Sequence, residues 1–262
     1  MAFSALFIIP ACLGAGAIIG FAGGVLGIGG GLFAIPLLGL LLGMSQQAAQ
    51  GTALIMVLPA VLLTLRKYNQ RSPIDWRAAG TGACTSMVCT WIGAGFALGM
   101  DSELLRRIYA VFVLVIAIFY FYQSRRRPRS ARRGAQQHRE ARDVHPGWYA
   151  LVGVFAGLAG GIFGVGGSVL AVPLLTAIFG LRQITAQAQA LAMIVPGTVV
   201  ALATYAAHGQ AHAMVGIPLA AGSLLCVPYG VRLAYSLPEA RLKFIFACML
   251  LVIMSLLLLK GG

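Results

Sequence analysis

GFAGGVLGIGGGLFAIPLL (20–38) and GLAGGIFGVGGSVLAVPLL (157–175) decide how this chain folds. Glycine so dense in an apolar setting lets backbone leave the helix and lets other groups approach closely. The stretches Gly27–Gly31 and Gly164–Ser168 should each break a helix. A short helix should restart after each, with free amides near Gly30 and Gly31 and likewise at Gly166, Gly167 and Ser168, where the serine could also cap. A helix start buried in a membrane is a natural anion site, and broken membrane helices use it for anionic solutes. The alternative is packing, and the runs Gly16, Gly20, Gly24 and Gly153, Gly157, Gly161 do have the four-residue spacing of close helix contact. A dinucleotide-binding loop is excluded, because no strand precedes either motif.

Outward from these stretches the repeat extends. At an offset of 137, residues 20–59 match 157–196 without a gap, with nineteen of forty positions identical. The matches include Pro36 with Pro173, Gln46 with Gln183 and Gln50 with Gln187. Apolar bias alone would align leucines and alanines, not Gly, Gln and Pro together. A repeat of this kind implies a two-half transporter with its site at the interface of the halves, one half rocking against the other.

Composition sets the environment. Sixty per cent of the 262 residues are hydrophobic and ten per cent charged, against about 25% charged in soluble domains. The first basic residue is Arg66 and the first acid Asp75. Such a beginning must meet lipid or other apolar helices. It lacks the basic n-region and cleavage site of a removed signal peptide. Apolar segments fall at 3–26, 30–43, 47–65, 77–99, 104–122, 148–163, 168–180, 184–205, 213–235 and 241–259. Segments 30–43 and 168–180 reach only about 20 Å, too short for a hydrocarbon core of about 30 Å, and read as half-helices. The expected fold is an all-α polytopic integral membrane protein of two homologous, inverted halves with eight to ten transmembrane segments. The halves are 1–122 and 148–262, joined by a basic linker, 123–147.

The net charge of +13 invites a nucleic-acid reading, but eight of the nineteen basic residues are Arg between Arg125 and Arg142. Beside apolar spans this is a cytoplasmic loop facing anionic lipid, as expected for a bacterial inner membrane. Loop 66–77 carries four basic residues and its counterpart 206–212 none, which favours inversion. Inverted halves place sixteen basic residues inside and three outside, whereas a parallel arrangement gives thirteen and six.

Candidate binding residues are Gly27, Gly29, Gly30, Gly31, Gly164, Gly166, Gly167 and Ser168, with Gln46, Gln50, Gln183 and Gln187 as neutral donors on shared helical faces. The glutamines could equally serve interhelical bonding. No acid lies mid-span, so a carboxylate proton relay is not indicated. His208 and His212 are too few to close a metal site, and no metal or other cofactor is expected. The five cysteines form no C-x-x-C pair and read as small buried hydrophobes. Ser168 with either histidine could in principle form an intramembrane protease dyad, but the first half has Gly31 at that position.

The paired G-x-x-G-G-x-x-G-[IV]-G-G-[GS]-x-x-x-[IV]-P-L-L motifs resemble the TauE/SafE family of sulfite and organosulfonate exporters. The resemblance covers nearly the whole chain except 123–147, and Ser168 departs from the symmetric motif. It implies an inner-membrane exporter of small sulfur-containing anions, with Pro36 and Pro173 as structural motif residues. A passive anion channel is the alternative, and a non-transporting scaffold leaves the broken helices without a purpose. The expected partners are the small anion and the lipid bilayer, not nucleic acid, with a homo-oligomer left open.

Overall fold

The computed structural model of the chain describes residues 2–70, 74–125 and 146–238, together with 245, 248 and 249. Most of linker 123–147 and of segment 241–259 therefore lies outside the described residues. The order is α1 (Ala2–Leu26), α2 (Gly31–Leu42), α3 (Gln46–Asn69), α4 (Trp76–Gly99), α5 (Ser102–Arg125), α6 (Pro146–Phe163), α7 (Ser168–Ile178), α8 (Gln183–Ala207) and α9 (Ala213–Ser236). No strand occurs among the described residues. The helix starts at 31, 46 and 76 recur at 168, 183 and 213, each 137 residues later.

Six of these helices are long and apolar enough to cross a bilayer. The half-helices α2 and α7 have 12 and 11 residues. Large apolar side chains such as Ile18, Trp91, Phe96 and Leu225 are exposed on the outer faces. In water such a surface would be a liability; against lipid it is solvated. The acids that fall at segment ends act as caps. Asp75 accepts from the amides of Arg77 and Ala78 at the start of α4, and Asp101 accepts from Glu103 and Leu104 at the start of α5. Each satisfies donors that a helix start leaves orphaned.

Contacts fix the helix directions. Gly16, Gly20 and Gly24 of α1 lie against Leu219, Ser223 and Val227 of α9 in matching order, so these two run parallel. Gly153, Gly157 and Gly161 of α6 lie likewise against Gly82, Ser86 and Thr90 of α4. At most of these places a Cβ would overlap the facing backbone, so the runs of small residues do pack helix on helix, as one sequence reading held. α3 is parallel to α9, through Thr52 with His212 and Ile55 with Gly216. α8 is parallel to α4, through Met193 with Gly82 and Gly197 with Ser86. α3 and α8 are antiparallel, since Gln50 meets Tyr205 while Tyr68 meets Gln187. Helices 137 residues apart therefore point in opposite senses.

Arg66, Lys67, Arg77, Arg182 and Arg232 gather at the end where α3 and α9 finish and α4 and α8 begin. Trp76 and Trp148 lie at this end too, half-exposed, as aromatic residues at a membrane boundary do. Arg106 and Arg107 are at the other end, each ion-paired to Glu103. Cysteine was misjudged: only Cys12 is buried, and Cys84 is exposed on α4. An exposed thiol costs little where the surroundings are apolar.

Candidate functional site

Both glycine clusters break the chain. Gly27, Gly29 and Gly30 have φ of 66°, 73° and 82°, and Gly164, Gly166 and Gly167 have 64°, 75° and 74°. Only glycine takes this region without a Cβ penalty of about 1–2 kcal/mol. The break also turns the chain back on itself. A Cβ at Gly30 would lie 2.8 Å from Ile19 Cγ2 and 3.0 Å from Ile19 O, more than two turns earlier in α1. At the second break Gly160 faces Gly167 in the same way, and a Cβ at Gly160 would lie 3.0 Å from the Gly167 nitrogen. α2 and α7 therefore begin in the middle of the bundle and run back toward the end from which α1 and α6 came.

The two breaks meet. A Cβ at Gly31 would come within 3.4 Å of Val165 Cα and 3.5 Å of Gly164 O. Val57 of α3 lies between them, against Gly29, Gly31 and Gly166. The starts of α2 and α7 thus converge at one place in the core. Gly30 and Gly167 are their N-caps, and neither start has a side-chain cap. Ser168 does not cap α7: it is the helix's first residue, fully buried, and its Oγ has no hydrogen-bond partner. Gly167 takes the cap position because that position needs φ of 74°.

Each break is braced by a glutamine from the other side of the offset. Gly27 packs against the side chain of Gln187, and Gly164 against Gln50. Gln187 Nε2 donates to Leu26 O at 2.6 Å, and Tyr68 Oη donates to Gln187 Oε1 at 3.0 Å. Tyr205 Oη donates to Gln50 Oε1 at 2.8 Å, with Gly161 O also in reach at 3.0 Å. Gln50 Nε2 is buried without a partner. Gln46 and Gln183 are both buried, at the starts of α3 and α8. Gln46 Nε2 also lacks a partner, while its backbone amide donates to Ser102 Oγ. The structure thus brings Gln50 and Gln187 onto the breaks and leaves Gln46 and Gln183 at helix starts.

Several site residues escaped the sequence reading. Tyr68 and Tyr205 are one offset apart, and carrying the alignment nine positions past Pro59 would have shown them. Gln47 and Gln189 proved to be tethers. Gln47 Nε2 bonds the end of α4 at Met100 O, and Gln189 exchanges two bonds with the backbone of Asp75. Beside Gly166 lies a crevice lined by Ser86, Thr90, Ala156, Ile194, Gly197 and Thr198, with about 180 Å³ of space between atoms and no room for a water molecule.

No charged side chain is among the buried polar residues described. No group of three His, Cys, Asp or Glu residues capable of holding a metal occurs among the described residues. His208 and His212 flank the α8–α9 turn, where His208 Nδ1 lies 2.8 Å from Thr204 O and His212 N donates to Thr52. No hydrogen bond joins either to Ser168.

Spanning helices, re-entrant half-helices and a neutral, glycine-lined centre define a polytopic membrane transporter. The family described as "Sulfite exporter TauE/SafE" matches residues 12–257, and the chain belongs to it. Among its relatives is a "Probable membrane transporter protein" of Xylella fastidiosa, 26% identical over 92% of this chain and 91% of that one. Another is the "Probable membrane transporter protein YunE" of Bacillus subtilis, 23% identical over 94% and 96%. The "Probable membrane transporter protein MJ0441" of Methanocaldococcus jannaschii is 26% identical over 66% and 63%. No solved structure matches the chain.

Proposed function

We propose that this transporter exports small sulfur-containing oxyanions across a bacterial inner membrane. The observation that carries the reading is the meeting of two uncapped helix starts, at Gly31 and Ser168, in a core with no buried charge among the described residues. A helix start holds roughly half a positive charge and a set of free amides. Two of them solvate an anion without binding it as tightly as buried arginines would, so it can also leave. Gln50, whose Nε2 is buried without a partner, supplies a neutral donor at the edge of the site, and Gln187 braces the first break. The family match supports sulfite or a sulfonate as the solute. With the basic end cytoplasmic, the membrane potential drives an anion outward by about 2.3 kcal/mol per charge per 100 mV.

The closed crevice favours a carrier caught between openings over an open pore. The moving bodies need not be the sequence halves. A rocking of half against half would tear α1 from α9 and α6 from α4, the most extensive helix pairings. Motion between α1–α3–α9 and α4–α6–α8 keeps both pairs intact and concentrates change where α3 crosses α8.

The test is efflux from proteoliposomes loaded with sulfite, sulfate, thiosulfate, taurine or sulfoacetate, paired with thermal shifts of the purified protein, since a ligand stabilises the state it binds. Selective, saturable efflux with counterflow supports the carrier. Linear, non-saturating flux supports a channel instead. Orientation is tested by a cysteine placed at Gln210 in the α8–α9 turn. It should react with an impermeant thiol reagent from the periplasmic side, and protection would reverse the topology.

A further inference from the structure

We infer that, where the two helix starts meet, the side chains that hold the anion belong to the second break, in the crevice beside Gly166, while the lining of the first break acts as a wall; the inference rests on the transport reading above.

The two breaks share a backbone but not a lining. Shifting the crevice residues by the 137-residue offset, forward on α4 and back on α6 and α8, gives Ser223 for Ser86, Val227 for Thr90, Ile19 for Ala156, Val57 for Ile194, Ala60 for Gly197 and Val61 for Thr198. Around Gly29 the aliphatic members of this set fill the space, and a Cβ there would overlap Val61 Cγ2, while Ser223, the one hydroxyl, lies against Gly20 of α1. Around Gly166 the nearest groups to a Cβ are Thr198 Oγ1 and Val57 Cγ1, both at 3.4 Å. One side is a plug and the other a hydroxyl-lined slot.

The hydroxyls are available. Ser86 Oγ donates to Met193 O, Thr90 Oγ1 to Gly157 O and Thr198 Oγ1 to Ile194 O. Each acceptor lies inside a helix, where backbone amides already satisfy carbonyls. A hydroxyl can therefore turn toward an anion without orphaning its former partner, and a bond to a charged acceptor is the stronger one. The same break also holds the unused donors. Ser168 Oγ and Gln50 Nε2 are fully buried and unpartnered, whereas at the first break Gly31 has no hydroxyl and Gln187 Nε2 is committed to Leu26 O; the unpartnered hydroxyl on that side, Ser223 Oγ, sits against Gly20 of α1.

The test measures KM and maximal rate for sulfite efflux in proteoliposomes. Thr198→Val should raise KM at least tenfold, and Thr198→Ser should restore it. The triple change Thr90→Val, Ala156→Ile, Thr198→Val, which copies three aliphatic positions of the first lining, should abolish efflux while ligand-free thermal stability stays near wild type. The mirror change Val61→Thr should alter KM less than twofold. Unchanged KM in Thr198→Val, or an equal effect from Val61→Thr, overturns the asymmetric site while leaving transport standing. Wild-type protein that moves none of the anions overturns the transport reading itself, and the inference with it. If the triple variant fails to fold, the Thr198→Val and Thr198→Ser pair decides alone.

Discussion

The first glycine break is tightly filled by aliphatic side chains, and its glutamine is fully bonded; the second, with the same φ pattern, has a looser, hydroxyl-bearing lining and unused donors at Ser168 and Gln50. The backbone conformation is set by glycine and cannot vary without strain. The lining is set by residues on α1, α3 and α9 at the first break and on α4, α6 and α8 at the second, which are free to diverge. Two copies of one scaffold can thus hold the same bend while one acts as a wall and the other as a receptor.

That contrast can be broken most severely at the helix contacts. A Cβ at Gly161 would overlap Thr90 O and lie 2.7 Å from Ala94 N, while one at Gly24 would lie 2.6 Å from Val227 O. Gly161→Val should cost more than about 4 kcal/mol, the range of severe core disruption, and should yield no monodisperse protein on size exclusion. Gly24→Val should be milder, and equal behaviour of the two would weaken the contrast.

Next come the breaks themselves. Gly29→Ala and Gly166→Ala both force alanine into positive φ, at about 1–2 kcal/mol. Gly29→Ala adds the overlap with Val61, about 1–3 kcal/mol more. The melting temperature of Gly29→Ala should therefore fall well below that of Gly166→Ala, and adding Val61→Ala should recover most of the gap. Equal losses would mean that the first break is not filled as described.

The smallest effect is at the glutamines. Gln187→Leu removes two made bonds, each worth about 1 kcal/mol, typical of interhelical bonds in membranes. Gln50→Leu removes the bond accepted from Tyr205, whose hydroxyl keeps Gly161 O in reach, together with an unpartnered buried donor, and should cost less in chemical denaturation, because leaving such a donor unpaired is itself costly. Efflux should nonetheless be lost in Gln50→Leu.

Much of this was legible in advance. Glycine density marked both breaks because no other residue tolerates their φ, and span length marked α2 and α7 as half-helices. The observed starts of α3, α4, α7, α8 and α9 fall within one residue of the expected ones. The crevice was not legible. Ser86, Thr90 and Thr198 are ordinary helix hydroxyls in sequence, and only the parallel packing of α4 with α6 and α8 gathers them around Gly166. Nor could the pattern show that Ser168 would leave its oxygen idle, since capping depends on which residue takes the left-handed position.

The glycine stripes carry a last consequence. Because α1 is seated on α9 and α6 on α4, neither sequence half completes its own packing. A gene cut between residues 126 and 145 should still give two polypeptides that find each other in the membrane, whereas either fragment made alone would seek a second copy of itself to cover the same groove. A fold of this kind is reached most simply from two separate chains inserted in opposite orientations and later joined.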